Sequence, residues 1–325
     1  MRIGTRGSAL ALAQARLVAQ LLGGAELVTI TTAGDRNAAG DKSRWVQQLE
    51  RALSAREIDL AVHSAKDVPG ELPDGLSLLG APARAAPEDV LCGASGLKQL
   101  EPGARVGTSS LRRAAQLRAA RGDLEVVAVG GNVDTRLRKL HEGEAPDTSG
   151  AANGAGNQTA RGGSRDAAAD KGGLDALVLA RAGLQRLGRE SEIAAILDPT
   201  RFVPSPGQGT LALEGRAGDE RTREAVEAIT DAKAFACLRA ERAVAQALGA
   251  SCNTPLGAHA LDAGCGCLHL RAWVGLPDGS AWVSDELVGG FYDPEQLGGR
   301  MAERLLSAGA GELLRHAEER AVEHA

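Results

Sequence analysis

Aromatic side chains are scarce: three Trp, three Phe and one Tyr in 325 residues, 2% of the chain. Such a composition excludes a surface built to stack on bases or sugars, and it requires cores packed from aliphatic side chains. Long apolar runs are missing too. No stretch approaches the ~20 residues of a membrane span. Met1-Arg2-Ile3-Gly4-Thr5 opens no signal-peptide core, so a soluble cytoplasmic protein is expected. A positive excess is also absent: 37 Lys and Arg stand against 42 Asp and Glu, a net charge of −5. That is the wrong sign for a protein that coats nucleic acid. The five cysteines (Cys92, Cys237, Cys252, Cys265 and Cys267) are odd in number and irregular in spacing, which argues for reduced thiols over a disulfide framework. Cys265-Gly266-Cys267, with His259 and His269 close in sequence, has half the ligand spacing of a metal site. No second Cys pair or His-x-x-x-His follows, so no metal is expected and two small residues on a hairpin are the simpler reading.

What is present has the length for two or three domains. The first two thirds alternate β-branched and amphipathic segments. Strands are expected at 27–32, 58–63, 124–129 and 174–179. Between them, Leu10, Ala13, Leu17 and Leu21 form a helical stripe after a possible Ser8 N-cap and before a Gly23-Gly24 stop. Trp45, Leu49 and Leu53 form a second stripe, and Leu111, Ala114, Ala115 and Leu117 a third. This alternation implies α/β layers. The last third reads as a small α+β domain: a helix near 232–248, strands at 267–274 and 280–288 around Pro277-Asp278-Gly279, and a final helix from Pro294. The Pro/Gly-rich segments 82–87 and 203–209 are candidate crossings between lobes. Segment 143–173 holds almost no large apolar residue and is expected to be a disordered surface insertion.

The placement of arginine carries the chemistry. Thr108-Ser109-Ser110-Leu111-Arg112-Arg113 follows the short strand Arg105-Val106-Gly107 and opens a helix, combining free N–H groups, hydroxyls and guanidinium groups into an anion site. Thr5-Arg6-Gly7-Ser8 has the same grammar. Asn132-Val133-Asp134-Thr135-Arg136 and Ala182-Gly183-Leu184-Gln185-Arg186 again put Arg just after a strand. Strand carboxyl ends in open α/β sheets face one crevice, so four such placements point to a ligand with several carboxylates or phosphates; surface salt bridges are the alternative for any one alone. Asp67, in His63-Ser64-Ala65-Lys66-Asp67-Val68-Pro69, ends a strand beside a Lys. It is placed either to stabilise a transient cation or shuttle protons, or to cap a turn before Pro. His63 reads as a core or supporting histidine. Cys252 lies in a loop after a helix ending at Gly249, where a thiol can be a nucleophile or attachment point, whereas Cys237 reads as a small core residue.

Seven ordered motifs carry a family resemblance: GTRGSALALAQ (4–14), AVHSAKDVP (61–69), VGTSSLRR (106–113), GNVDTR (131–136), AGLQRLG (182–188), PGQG (206–209) and the Cys252 loop. The chain resembles the porphobilinogen deaminases, or hydroxymethylbilane synthases, over nearly its whole length except the 143–173 insertion. The resemblance implies two periplasmic-binding-protein-like α/β lobes plus a small C-terminal α+β domain, divided as 1–82 (completed by 204–228), 87–203 and 231–325. It implies a dipyrromethane cofactor in thioether linkage to Cys252. It implies a transferase of tetrapyrrole (haem) biosynthesis that joins four porphobilinogen molecules head to tail with loss of ammonia, then releases the product hydrolytically. Asp67 is implied as the catalytic acid; Lys66, Thr108, Ser110, Arg112, Arg113 and Arg136 as cofactor binders; and Arg6, Ser8, Gln14 and Arg186 as substrate binders. The implied partner is porphobilinogen, with no nucleic acid, no membrane and a monomeric chain.

This sequence departs from the family pattern at four places. Gly130 stands where the family usually has Arg, removing one guanidinium beside the 131–136 motif. Trp45 replaces the usual Phe, Gln47 the usual Lys, and Ser251 the usual Gly before the cysteine. A degenerate, non-catalytic two-lobed binder of carboxylates or pyrroles is the alternative reading, since fold alone does not determine activity.

Overall fold

A computed structural model describes residues 1–30, 43–143, 172–250 and 254–323. Most of the 33–43 and 143–173 segments, together with Ser251, Cys252 and Asn253, lie outside the described residues.

From the N-terminus, β1 (Arg2–Arg6) leads into α1 (Ala9–Leu21). Ser8 caps that helix, its side chain accepting from the Ala11 N–H, and Gly23 and Gly24 end it with φ of +73° and +111°. Then come β2 (Glu26–Ile30), α2 (Ser43–Ser54), β3 (Leu60–Ser64), a single 3-10 turn at Ala65–Asp67, and β4 (Leu76–Gly80). The middle of the chain supplies β5 (Asp89–Cys92), β6 (Arg105–Gly107), α3 (Leu111–Ala120), β7 (Glu125–Val127), α4 (Val133–Glu142), β8 (Ala176–Ala180), α5 (Arg181–Arg186) and β9 (Ala195–Ile196). After a second crossing come β10 (Leu211–Arg216), α6 (Glu220–Glu227) and α7 (Ala232–Ala247). The chain closes with β11 (Leu256–Gly264), β12 (Cys267–Gly275), β13 (Trp282–Gly290), α8 (Pro294–Ser307) and α9 (Ala310–Glu323).

Two five-stranded sheets share one plan. Their orders are β2-β1-β3-β10-β4 and β7-β6-β8-β5-β9. In each, the first three strands are parallel and the fourth runs against them. That fourth strand arrives across a crossing: β5 directly after the first sheet's strands, β10 after the second sheet's. The carboxyl ends of the parallel strands therefore gather on one edge of each lobe, where the strand-end arginines and Asp67 begin. The third sheet is the antiparallel meander β11-β12-β13, packed against α7 and α8. This is the architecture that the resemblance implies.

The cores are aliphatic, as the composition requires. Ile3, Val18, Leu60, Val62 and Leu213 fill one face of the first sheet, and Leu49, Leu53 and Ile58 the other. Packing is close enough that a Cβ on Gly4 would lie 2.2 Å from Ile58 Cδ1. Leu268, Leu270, Ala272 and Val274 of β12 pack on Val244, Met301 and Leu305.

Two differences from expectation lie in the last third of the chain. β11 is absent from the strands expected in this domain; its pairing with β12 along Leu256–Asp262 supplies the order that its Ala- and Gly-rich composition lacks. The final helix is two helices, parted at Gly309 with φ of +101°. The hairpin read at Cys265-Gly266-Cys267 is present: Cys265 and Gly266, with φ of +52° and +72°, make a two-residue turn closing β11 onto β12, the twist-matched kind that favours positive φ at both positions.

The crossings are tied together by buried polar groups. Their backbones touch: Ala85 N–H donates to Gly209 O at 3.1 Å. Glu241 of α7, inaccessible to solvent, accepts from Arg84 Nη1 at 2.7 Å in the first crossing and from the Gly207 N–H at 2.6 Å in the second. It also accepts from the Ala260 N–H of β11 at 2.7 Å. Burial pushes its carboxyl up from the usual range, against the pull of Arg84 and these amides. The next residue, Arg242, donates to the carbonyls of Val68, Pro69 and Gly70. α7 thus grips both crossings and the chain just after Asp67. Glu241→Ala leaves the Arg84 charge buried without its acid and is expected to cost about 3–5 kcal/mol in urea unfolding; a loss under ~1 kcal/mol, as for an exposed pair, would show that the clamp does not hold the domains.

Candidate functional site

Asp67 lies at the carboxyl end of β3, on a 3-10 turn held from three sides. The Ala65 N–H donates to Thr210 O at 3.0 Å, Gln14 Nε2 donates to Ser64 Oγ at 2.8 Å, and Arg242 holds the carbonyls that follow. Asp67 lines a small cleft of about 70 Å³ with Arg6, Ser8, Gln14, His63 and Ser64. Among the described residues, no Phe, Tyr or Trp side chain lines it. His63 is 6% exposed, with Nε2 2.8 Å from Glu214 Oε2, a supporting histidine beneath the cleft as its position on the strand suggested. Gln14 is buried and bonded to Ser64, so it shapes the turn as well as lining the cleft.

The second lobe brings its arginines toward the same edge. Ser110 caps α3 by accepting from the Arg113 N–H, and Thr108 Oγ1 accepts from the Ser110 N–H at 3.2 Å. Asn132 caps α4 in the same way, accepting from the Thr135 N–H at 2.8 Å. Arg136, four residues on, donates Nε to Gly131 O at 2.8 Å. Burial pulls its guanidinium down to about 10, Arg113 pushes the same way, and Asp67 opposes both. Asp67 and Arg136, from different lobes, therefore feel each other's charge. Arg186 is pulled down to about 10 by burial and donates Nη2 to Gly209 O at 2.6 Å, joining α5 to the second crossing.

Arg112 and Arg113 differ from the open anion site that their motif suggests. Both are buried on Asp89, the first residue of β5. Arg112 Nη1 lies 2.7 Å from Asp89 Oδ2 and Arg113 Nε 2.8 Å from Oδ1. Burial works to raise the Asp89 carboxyl, but the two guanidinium groups outweigh it and hold it well below the usual range. Gln208 completes the cluster: its Nε2 donates to Asp89 Oδ1 at 2.9 Å and Pro87 O at 2.6 Å, while its Oε1 accepts from Arg113 Nη2 at 3.2 Å and Lys66 Nζ at 3.4 Å. Acids are thus not confined to places away from the arginines.

Reading the sequence alone missed Asp89, Gln208, Arg84, Glu241 and Arg242. The PGQG motif and the Pro-bounded segment before Asp89 were visible, but key partners lie far off in the chain: Gln208 and Asp89 are 119 positions apart, Arg84 and Glu241 157. Cys252 lies outside the described residues. Cys237 is a core residue of α7, its thiol pushed up to about 12 by burial and Glu241.

Family models match two parts of the chain: "Porphobilinogen deaminase, dipyromethane cofactor binding domain" at residues 1–154 and 156–224, and "Porphobilinogen deaminase, C-terminal domain" at 235–307. The curated porphobilinogen deaminase of Roseiflexus castenholzii is 42% identical over 328 residues, covering 97% of this chain and 98% of that one. That of Thermus thermophilus is 41% identical over 321 residues, covering 96% and 97%. The crystal structure of the methionine binding protein MetQ aligns with 70% of this chain and 89% of its own, at 14% identity and a TM-score of 0.37.

Gly130 is exposed, its φ is not left-handed, and an added Cβ meets nothing within 4 Å. Gly130→Arg is therefore expected to fold with an unchanged melting temperature. A charge-assisted contact contributes about 1.5–3 kcal/mol where formed, so titration calorimetry should show a pyrrole dicarboxylate bound about tenfold more tightly. Unchanged affinity would mean that position 130 does not face the ligand.

Proposed function

The chain belongs to the porphobilinogen deaminase family, and from that premise we propose that it is a hydroxymethylbilane synthase: four porphobilinogen molecules condense head to tail, each losing ammonia, and water releases the linear product. The observation that carries this reading is Asp67, at a strand end in the first lobe, set within the field of Arg136 from the second. A carboxylate set within the field of guanidinium groups is suited to a substrate that brings carboxylates and develops positive charge as ammonia departs.

The residues fit a dipyrromethane bearing carboxylates. Arg112 Nη2 is buried with no hydrogen-bond partner, and Arg136 and Arg113 repel each other, a strain that bound carboxylates relieve. Cys252 would hold the group by thioether, with Lys66, Thr108, Ser110, Arg112, Arg113 and Arg136 binding it. When bound, it supplies the pyrrole carbon on which chain growth begins. Arg6, Ser8, Gln14 and Arg186 bind the acetate and propionate of the incoming porphobilinogen. Asp67 accepts the pyrrole N–H, stabilises the cation left by the departing ammonia and takes up the proton released as the new bond forms. The reading divides the chain as 1–82 with 204–228, 87–203 and 231–325, the crossings serving as hinges while the product lengthens. It takes the protein to be a cytoplasmic monomer; among the described residues no helix is long and apolar enough to cross a membrane.

Asp67→Asn keeps the shape of the turn and is expected to melt like wild type while losing ~10²–10⁴-fold in turnover; near-wild-type turnover would remove Asp67 from the reaction. Intact-protein mass spectrometry is expected to find two pyrrole units on the wild-type chain and none on Cys252→Ala. A wild-type chain without them would count against the whole reading.

A further inference from the structure

Between the second lobe and the third domain lies a cleft of about 460 Å³ that shares no lining residue with the cleft beside Asp67. One end of this seam is closed. Arg118 Nη1 donates to Pro277 O at 2.7 Å. A Cβ on Gly279 would lie 2.5 Å from the Ala119 nitrogen, so the β12–β13 turn is pressed onto the backbone of α3. Away from that end the cleft is lined by residues 200–202 and by Trp282 and Ser284 of β13.

In a chain with so few rings, Phe202, Trp273 and Trp282 all line this one cleft. Phe202 and Trp273 are buried and form its floor. Trp282 is 49% exposed, leaving much of its indole open to a ligand. The charges around it are mostly engaged. Asp285 accepts from Arg304 Nε at 2.6 Å and Glu286 from Arg271 Nη2 at 2.5 Å. The amide of Gln116 is bonded to Arg112 and to Val203 O. Arg201 is the exception: it is exposed, and its guanidinium has no hydrogen bond or ion pair among the described residues. It lies in the field of Asp198, a carboxylate already accepting from Thr200. A cationic ligand would have to take a carboxylate from its arginine, whereas an anionic one meets a guanidinium ready to donate.

We propose that this cleft binds planar aromatic carboxylates, the ring against Trp282 above the Phe202–Trp273 floor and the carboxylate on Arg201. An inter-domain cleft of this size, with buried rings on its wall and charged side chains around them, suits a ligand of one or two fused rings that carries a charge. Neither Trp282 nor Arg201 belongs to the reaction site, so Trp282→Ala and Arg201→Glu are expected to keep wild-type turnover.

The test is calorimetric titration of the holoenzyme with 2-naphthoate, against 2-naphthylmethylammonium as the cationic control. The expected result is saturable one-site binding of naphthoate, weakened about tenfold or more in each variant, with the cation at least tenfold weaker on wild type. No saturable binding, unchanged affinity in either variant or equal binding of the cation would each overturn the proposal; unchanged affinity in both variants would place the naphthoate elsewhere, such as among the arginines near Asp67.

Discussion

Two buried acids, Asp89 and Glu241, impose the constraint on which the arrangement of this molecule depends. Each is 1% exposed or less, and an ionised carboxylate at such depth costs several kcal/mol unless guanidinium and amide donors surround it. No single lobe supplies those donors. Asp89 takes Arg112 and Arg113 from α3 and Gln208 from the second crossing; Glu241 takes Arg84 from the first crossing, the Gly207 N–H from the second and the Ala260 N–H from β11. Satisfying both acids brings the crossings, the second lobe and the third domain together. The site inherits its geometry from that requirement, since Lys66 and Arg113 meet on Gln208 and Arg242 holds the chain after Asp67.

The charge pattern gains meaning from the same network. A net charge of −5 argues against a polyanionic partner on average, yet positive charge collects where the parallel strands end. Part of that charge is structural. Arg112 and Arg113 neutralise Asp89, so guanidinium groups that their motif offers to an anion are spent within the protein. The shortage of rings is equally telling: among the described residues the Asp67 cleft uses none, and several of the few present lie along the seam between the second lobe and the third domain.

Much of this was legible in the residues because the signals are local. Ser8 and Ser110 stand one residue before their helices, and β3 reads as a buried apolar run at Leu60, Ala61 and Val62. The strand-end rule puts Arg6 and Asp67 together, and the structure has both lining one cleft, with Arg136 in reach of the Asp67 charge. β11 was not legible, because its order comes from pairing with β12 rather than from propensity. The correct partner of the α3 arginines was not legible either. Asp89 precedes Arg112 by 23 positions and Gln208 follows Arg113 by 95, and no local pattern announces such a contact.

The sequence by itself determined the layer type, the capped helices, the aliphatic cores and the chemistry of the candidate site, because each follows from residues within one or two turns of each other. Only the tertiary structure decided which arginines are neutralised within the protein, which acid lies under which guanidinium and how α7 joins Asp67 to the crossings. Those outcomes rest on desolvation: a charge must be satisfied by whatever the fold brings within about 3 Å of it, and chain separation carries no record of that distance.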